Sequence, residues 1–303
     1  MILLYHLIFP DDTPPDAWNA AKILRLADFK RQIHWLKKYY RIIPLDRYVS
    51  EAFYSTKPHM RNTAITFDDG YHATFDLVAP FLEAESVPVT FFINTYHLEN
   101  PRLLWFVFFN ALCFEKTYDK LTIDGSSYPL DSEKNCLKAW RILINLARTS
   151  GNAITFSQQF SQRYPLPDAV TDKYMGLNKE QIRQISSSML LSAGGHTHRH
   201  PYLDQVTPER QLDEITQNKT ILEELTGKPV EYFAYTGGIY NTDSITAVKR
   251  AGFKAAFAIR PDNLGAEPNY EIPRTDIYSG SLIKFILKRF GAADAAQKIG
   301  IWG

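Results

Sequence analysis

Hydrophobic and polar positions alternate in two ways along this chain. Short, mostly apolar runs recur at Ile2 to Leu7, Ala64 to Phe67, Pro88 to Ile93, Leu190 to Ala193, Glu231 to Tyr235 and Ala255 to Ile259. Their length and their Val, Ile, Thr and Phe content predict buried strands. Between them the apolar residues recur at helical spacing. Phe29, Ile33, Leu36 and Tyr40 predict a helix over about 27–40, and Phe75, Val78 and Leu82 predict a second. Leu212, Ile215, Leu222 and Leu225 predict a third, with Thr207 as N-cap, Pro208 in the first turn, and Gly227 and Pro229 ending it. A fourth runs from about Thr242 to Ala251 and stops at Gly252; a last one carries Leu282, Phe285, Ile286 and Phe290. Strands alternating with amphipathic helices predict a mostly parallel α/β domain.

Residues 95–178 break this rhythm. They contain the apolar run Leu103 to Phe114, interrupted by Asn110, the turn signal Asp124-Gly125, both cysteines, and a polar stretch ending near Pro167. This segment reads as an insertion or small subdomain within one domain spanning 1–303. The run LLWFVFFNALCF is shorter than the roughly 20 residues needed to span a bilayer. It reads as core packed on the rest of the domain, or as a lid or membrane-surface contact built from Leu103, Leu104, Trp105, Phe106, Phe108 and Phe109.

Composition narrows the function classes. The 34 basic and 33 acidic side chains leave a net charge of +1, so no long-range field favours nucleic acid. Two cysteines, Cys113 and Cys136, match no zinc spacing and read as reduced thiols. The N-terminal MILLYHLIFPDD lacks a basic leader and a small-residue cleavage site, so it reads as a first core strand and predicts a cytoplasmic protein, with the membrane surface as the other location.

Three segments just after predicted strands carry chemistry, and in parallel α/β folds that edge is where active sites sit. In Thr66-Phe67-Asp68-Asp69-Gly70, adjacent carboxylates resist double ionisation unless a cation neutralises one. One Asp can then ligate and the other act as a base; the plainer reading is an Asp-Gly turn capping a helix. In Gly194-Gly195-His196-Thr197-His198-Arg199-His200-Pro201, the four-residue spacing of His196 and His200 would put both imidazoles on one face of a helical turn, as two ligands of one metal require. The third is Phe233-Ala234-Tyr235-Thr236-Gly237-Gly238, whose small residues let backbone N–H groups approach an oxyanion, or simply turn the chain. Together the residues suit hydrolysis by a metal-activated water.

TFDDG, HTHRHP and FAYTGG, in this order, resemble the polysaccharide deacetylase family, the NodB-homology carbohydrate esterases, over roughly residues 1 to 95 and 180 to 290. Tyr5-His6 and Pro273-Arg274 also fit. The resemblance implies a distorted (β/α) barrel of about seven parallel strands and a divalent metal, commonly zinc, with Co²⁺, Ni²⁺ or Mn²⁺ as alternatives. It implies hydrolysis of N-acetyl groups on an amino sugar in a polysaccharide or glycoconjugate. By position, Asp68 is the base; Asp69, His196 and His200 are the metal ligands; Tyr235, Thr236 and Gly237 form the oxyanion loop, with the Gly237 N–H as donor. Ala234 stands where many members have an arginine that orients the base, and Arg274 is the substitute. Thr236 replaces a common proline. The family's late Leu-x-His is missing, so Asp68 takes both proton-transfer roles, or another group such as His72 donates. The same residues also suit removal of a formyl group or another small amide from a small or lipid-linked sugar, or a carbohydrate-binding protein without turnover.

Overall fold

The computed structural model describes residues 1–14, 23–54, 62–98, 102–259 and 267–289. Its strands are β1 (Ile2–Tyr5), β2 (Arg41–Ile42), β3 (Asn62–Phe67), β4 (Val89–Ile93), β5 (Lys120–Ile123), β6 (Ser126–Pro129), β7 (Leu191–Gly195), β8 (Tyr232–Ala234), β9 (Ala255–Ala258), β10 (Ile272–Pro273) and β11 (Thr275–Asp276). The principal sheet runs β10-β9-β8-β7-β4-β3-β1-β11, all parallel, with β2 paired to β3. β1, β3 and β4 are buried along their whole length, as a parallel sheet covered on both faces requires.

The two ends of this order are one piece of chain. β10 pairs with β9, β11 pairs with β1, and Arg274 lies between them. Its N–H bonds Ala258 O at 2.8 Å, and the Ile277 N–H bonds Leu4 O at 2.8 Å. A single extended segment thus nearly closes the sheet into a barrel, and counting it as one stave gives the expected seven.

Helices α1 (Leu26–Tyr39), α2 (Leu45–Tyr54), α3 (His72–Ala84), α8 (Lys179–Ser187), α9 (Pro208–Thr226), α10 (Thr242–Arg250) and α11 (Leu282–Arg289) belong to the α/β alternation. Phe29, Ile33 and Leu36 of α1, Phe75, Val78 and Leu82 of α3, and Ile215 and Leu222 of α9 are buried in one apolar core with Leu3, Ile65, Phe91 and Phe233 of the strands. The α9 ends follow the sequence signals: the Thr207 side chain accepts from the Arg210 N–H, and Gly227 caps at φ +64°. Phe290 lies outside the described residues.

Alternate strand positions point into the barrel. Ile2, Ala64, Phe92, Ala234, Ala255, Phe257 and Ile272 pack there, with Leu45 and Val49 of α2 beside them. Gly194 makes room for this layer: a Cβ on it would lie 2.4 Å from Phe92 Cδ1 and 3.2 Å from Tyr232 O.

The stretch between β4 and α8 carries the remaining helices, α4 (Trp105–Phe114), α5 (Glu133–Thr149), α6 (Ala153–Arg163) and α7 (Asp168–Lys173), with the β5–β6 hairpin. The hairpin turns on Asp124 and Gly125, both at positive φ, as a two-residue turn needs. α4, α5 and α6 share their own core, which includes Trp105, Phe109, Leu112, Leu121, Leu143 and both cysteines, free and buried. Trp105, Phe108 and Phe109 of the aromatic run are buried as core. A second cluster, with Leu104 and with Val107 and Ala111 of α4 against Leu7, Phe9 and Tyr71, ties this unit to the barrel. Among the described residues no helix is long and apolar enough to cross a membrane.

Gly194→Ala should destabilise the protein by about 1–3 kcal/mol, the range for overpacking a filled core. Urea unfolding measures it, and Phe92→Leu in the same chain should recover part of the loss.

Candidate active site

The carboxyl ends of β3, β7 and β8 and the closing segment present their residues on one rim. The Asp68 N–H still bonds Tyr5 O at 2.9 Å, so Asp68 continues the β3 ladder and points inward like Thr66. Asp69 then turns the chain at φ +69° and Gly70 at φ +64°, with Ile93 packed so closely that a Cβ on Gly70 would sit 3.2 Å from Ile93 Cγ2.

After β7 the chain does not form the helical turn expected over 196–200. Thr197 and His200 both adopt positive φ, +62° and +59°, in a bend. This double reversal still turns His196 and His200 to the same side. His196 Nε2 and His200 Nε2 each lie 3.4 Å from Asp69 Oδ1. His196 Nδ1 pairs with Ala234 O at 2.7 Å, which makes Nδ1 the protonated nitrogen and aims the Nε2 lone pair at the carboxylate. The turn is held from behind. Asn218 Oδ1 accepts from the His196 N–H at 3.0 Å, Asn94 Nδ2 donates to the carbonyls of His196 and Thr197, and Trp105 Nε1 donates to His200 O at 2.8 Å. His198 faces away and pairs with Thr95 Oγ1 at 2.9 Å; burial lowers its pKa to about 4.

Asp69, His196 and His200 are buried, and one ligand atom from each lies within 4.8 Å of the others. Asp69 Oδ1 and His200 Nδ1 have no hydrogen-bond partner. A buried carboxylate oxygen facing two imidazole nitrogens, none of them otherwise engaged with it, is a donor set that suits a divalent cation. Burial works against ionisation of Asp69, yet the facing imidazoles outweigh it and hold the carboxyl well below its usual range. For His196, burial lowers the pKa and the charges of Asp68 and Asp69 more than reverse this.

Asp68 has a different partner. Arg274 Nη1 and Nη2 bond its two oxygens at 2.7 and 2.6 Å, a bidentate pair with both side chains buried. Nη1 also donates to Thr66 Oγ1 at 3.2 Å, and the guanidinium lies 5.1 Å from the centre of the Phe92 ring. Burial would raise the Asp68 pKa, but the Arg274 charge leads the effects that bring it below normal. Asp68 Oδ2 stays 3.9 Å from His196 Nε2, beside the ligand set rather than in it.

A cavity of about 310 Å³ opens over these groups, lined by Asp68, Asp69, His196, His200 and Gly237 among others. Of the three loop residues read from the sequence, Gly237 alone lines it. Gly237 sits at φ +62°, and a Cβ there would meet the Tyr202 ring at 3.1 Å. Tyr235 does not reach the cavity: its ring stacks on Tyr240 and its N–H bonds Phe257 O, so it cannot serve an oxyanion. Thr236 is buried, and its hydroxyl donates to Pro201 O at 2.6 Å, which ties the loop to the histidine turn. His72 lies elsewhere, at the start of α3, with Nε2 bonded to Asp172 O. The sequence reading missed most of the cavity wall. His6, stacked on Tyr278, lines it, as do Tyr71 from the loop before α3 and Phe106, Asn110, Trp140 and Ile144 from α4 and α5. Burial raises the pKa of both Tyr71 and Tyr278, and the Asp69 charge adds to it, so both phenols are neutral. His6 was legible beside Tyr5 in the resemblance, Phe106 as part of the apolar run and Asn110 as the break in it; Tyr71, Trp140, Ile144 and Tyr278 carried no signal.

A polysaccharide deacetylase family model matches residues 55–124 and 160–256, more than half of the chain. The comparison with curated proteins returned no match. Among solved structures, the chain is similar to the deacetylase PplD of Streptococcus pyogenes, solved with acetate, at 16% identity, covering 91% of each chain, with a TM-score of 0.60. It is similar to IcaB from Ammonifex degensii at 15% identity, covering 97% of this chain and 96% of that one, TM-score 0.60. A de-N-acetylase from Aggregatibacter actinomycetemcomitans aligns at 13% identity over 95% of this chain and 98% of its own, TM-score 0.58. At such identities the likeness is one of fold. The family match spans the TFDDG, HTHRHP and FAYTGG segments, and with them the chain belongs to the polysaccharide deacetylase family.

Proposed function

We propose that the protein hydrolyses the N-acetyl amide of an amino sugar in a polysaccharide or glycoconjugate. The observation that carries this is the convergence of Asp69, His196 and His200 beside a separate carboxylate, Asp68, fixed by Arg274. Asp69, His196 and His200 are the residues that would hold a divalent metal, zinc or else Co²⁺, Ni²⁺ or Mn²⁺. Such an ion makes water more acidic and polarises a carbonyl oxygen.

The chain's own residues do the rest. Asp68 takes a proton from the attacking water as its oxygen bonds to the amide carbon. The same carboxyl then delivers that proton to the sugar nitrogen as the C–N bond breaks, leaving acetate and a free amine. Arg274 keeps Asp68 ionised at neutral pH and fixes both its oxygens, so one lone pair is presented to the water. Gly237 supplies backbone near the developing oxyanion without a side chain in the way. The ring contact of Phe106 with His200, centroids 4.5 Å apart, restricts bulk water on that side. The acetate in the S. pyogenes structure is the product this reading expects. The segment over 95–178 is read as an insertion that completes the cavity.

The test is acetate release from a panel of N-acetylated sugars, monomeric and polymeric, with chelator and with Zn²⁺ restored. Release that stops with chelator and returns with metal supports the reading. Metal-independent release, or none from any sugar by metal-loaded protein, overturns it. Asp68→Asn should lower kcat by about 10²–10⁴, the usual contribution of a general base, with one metal per chain retained. Asp69→Asn should lose the metal itself, read by elemental analysis. Arg274→Lys should fall by roughly ten- to a hundredfold in activity, because an ammonium cannot engage both carboxylate oxygens in one plane.

A further inference from the structure

Asn110 sits where an apolar residue would be expected. α4 is buried on nearly every side, and its neighbours Val107, Phe108, Phe109, Ala111, Leu112 and Phe114 are all apolar. Asn110 is 6% exposed, and its carboxamide oxygen has no hydrogen-bond partner. On α5, the indole Nε1 of Trp140 is also buried and also has no partner. An unpaired buried polar atom is destabilising, and two such atoms on one surface are unusual. Both residues line the 310 Å³ cavity whose floor carries Asp68, Asp69, His196 and His200. The other cavity-lining residues of α4 and α5, Phe106 and Ile144, are apolar.

One atom is an acceptor and the other is a donor only. A sugar hydroxyl can donate to the first and accept from the second, and the indole offers an apolar face to the ring carbons. A cavity of this size is at the lower end of the roughly 300–1,000 Å³ of small-molecule sites, enough for a single sugar ring.

We propose that Asn110 and Trp140 form the ring-binding subsite of this enzyme, reading the hydroxyl groups of the N-acylated hexosamine whose amide is cut. This rests on the deacetylase reading for the identity of the ligand. Substrate choice then lies in the α4–α5 unit, while the chemistry lies on the barrel rim.

The experiment compares wild type, Asn110→Leu and Trp140→Phe, all metal-loaded. N-acetylglucosamine and its C4 epimer N-acetylgalactosamine, free and as methyl glycosides, are the probes. Acetate release gives kcat and KM, and calorimetric titration of the same sugars into metal-loaded proteins that also carry Asp68→Asn gives Kd without turnover. Each variant should raise KM and Kd for the better epimer by about tenfold, the effect of losing one hydrogen bond at the upper end of the usual range, and the preference between epimers should shrink. Saturated kcat and metal content should stay near wild type. Asn110→Leu should melt at the same temperature as wild type or higher, since it removes an unpaired buried group of similar size. Variants with unchanged KM, Kd and epimer preference overturn the proposal and leave the deacetylase reading intact. So does an Asn110→Leu protein that melts well below wild type with unchanged sugar binding, which assigns Asn110 a structural role. Sugar binding that both variants weaken, in a wild type that releases no acetate, keeps the subsite and removes the deacetylase reading. A wild type that neither binds nor cleaves any of these sugars overturns both.

Discussion

The ion pair of Arg274 and Asp68 holds barrel and site together. Arg274 lies between the two-residue strands that pair with opposite edges of the sheet, so its backbone is part of the closure. Its side chain crosses the interior to β3 and bonds both oxygens of Asp68 and the Thr66 hydroxyl. Burying two charges is expensive, and breaking such a pair by removing one partner typically costs about 3–5 kcal/mol because the other charge is left alone. The bidentate geometry, the Phe92 ring against the guanidinium and the third hydrogen bond offset that burial. The closure of the fold and the ionisation of Asp68 therefore meet in one residue, through its backbone and its side chain.

The same pair explains Ala234. An arginine on β8 would compete for the space that Arg274 and the inner layer of Phe92 and Phe257 occupy. A small residue there leaves the interior to Arg274, and the Ala234 carbonyl still orients His196. Positive charge reaches Asp68 from the segment between β10 and β11. Backbone strain gathers at the same rim. Asp69, Thr197 and His200 are non-glycine residues in the left-handed region, each held there at a cost of the order of 1 kcal/mol or more. Asn94, Asn218 and Trp105 hold the carbonyls and N–H groups of the histidine turn, so the strain is met by hydrogen bonds from behind the site.

β1, β3, β4 and β9 were legible because each is a short apolar run buried on both faces, and α9 because Thr207, Pro208 and Gly227 mark its ends. The Asp69, His196 and His200 set was legible as residue types in the right order, but the reason given for the histidine spacing was not the one the backbone uses. Two left-handed residues, neither of them glycine, cannot be read from a sequence whose local preferences they violate. β10 and β11 were invisible because two-residue strands carry no periodicity; only Pro273-Arg274 marked the place. Tyr235 and Thr236 were misplaced for a related reason. A loop's sequence does not say which of its residues faces the ligand, and here the Tyr235 N–H belongs to the sheet while the Thr236 hydroxyl belongs to Pro201.

The break in the alternation over 95–178 was legible, and the internal order of that segment follows from burial. A helix apolar on all sides, such as α4, has to lie at the centre of a packed unit, and α5, α6 and the hairpin provide the cover. Two attachments position that unit. One is apolar, through Leu104, Val107 and Ala111 against Leu7, Phe9 and Tyr71; the other is polar, through the Trp105 indole on the His200 carbonyl. The polar attachment ends on the backbone of a residue in the Asp/His/His set, so α4 is registered against the rim by a contact next to the ligand atoms themselves. On that side the cavity wall comes from α4 and α5. With α4 seated by Trp105, the next residues along its cavity-facing side, Phe106 and Asn110, are carried over the same groups one helical turn apart. The indole hydrogen bond thereby links the geometry of the Asp/His/His rim to the placement of the wall above it.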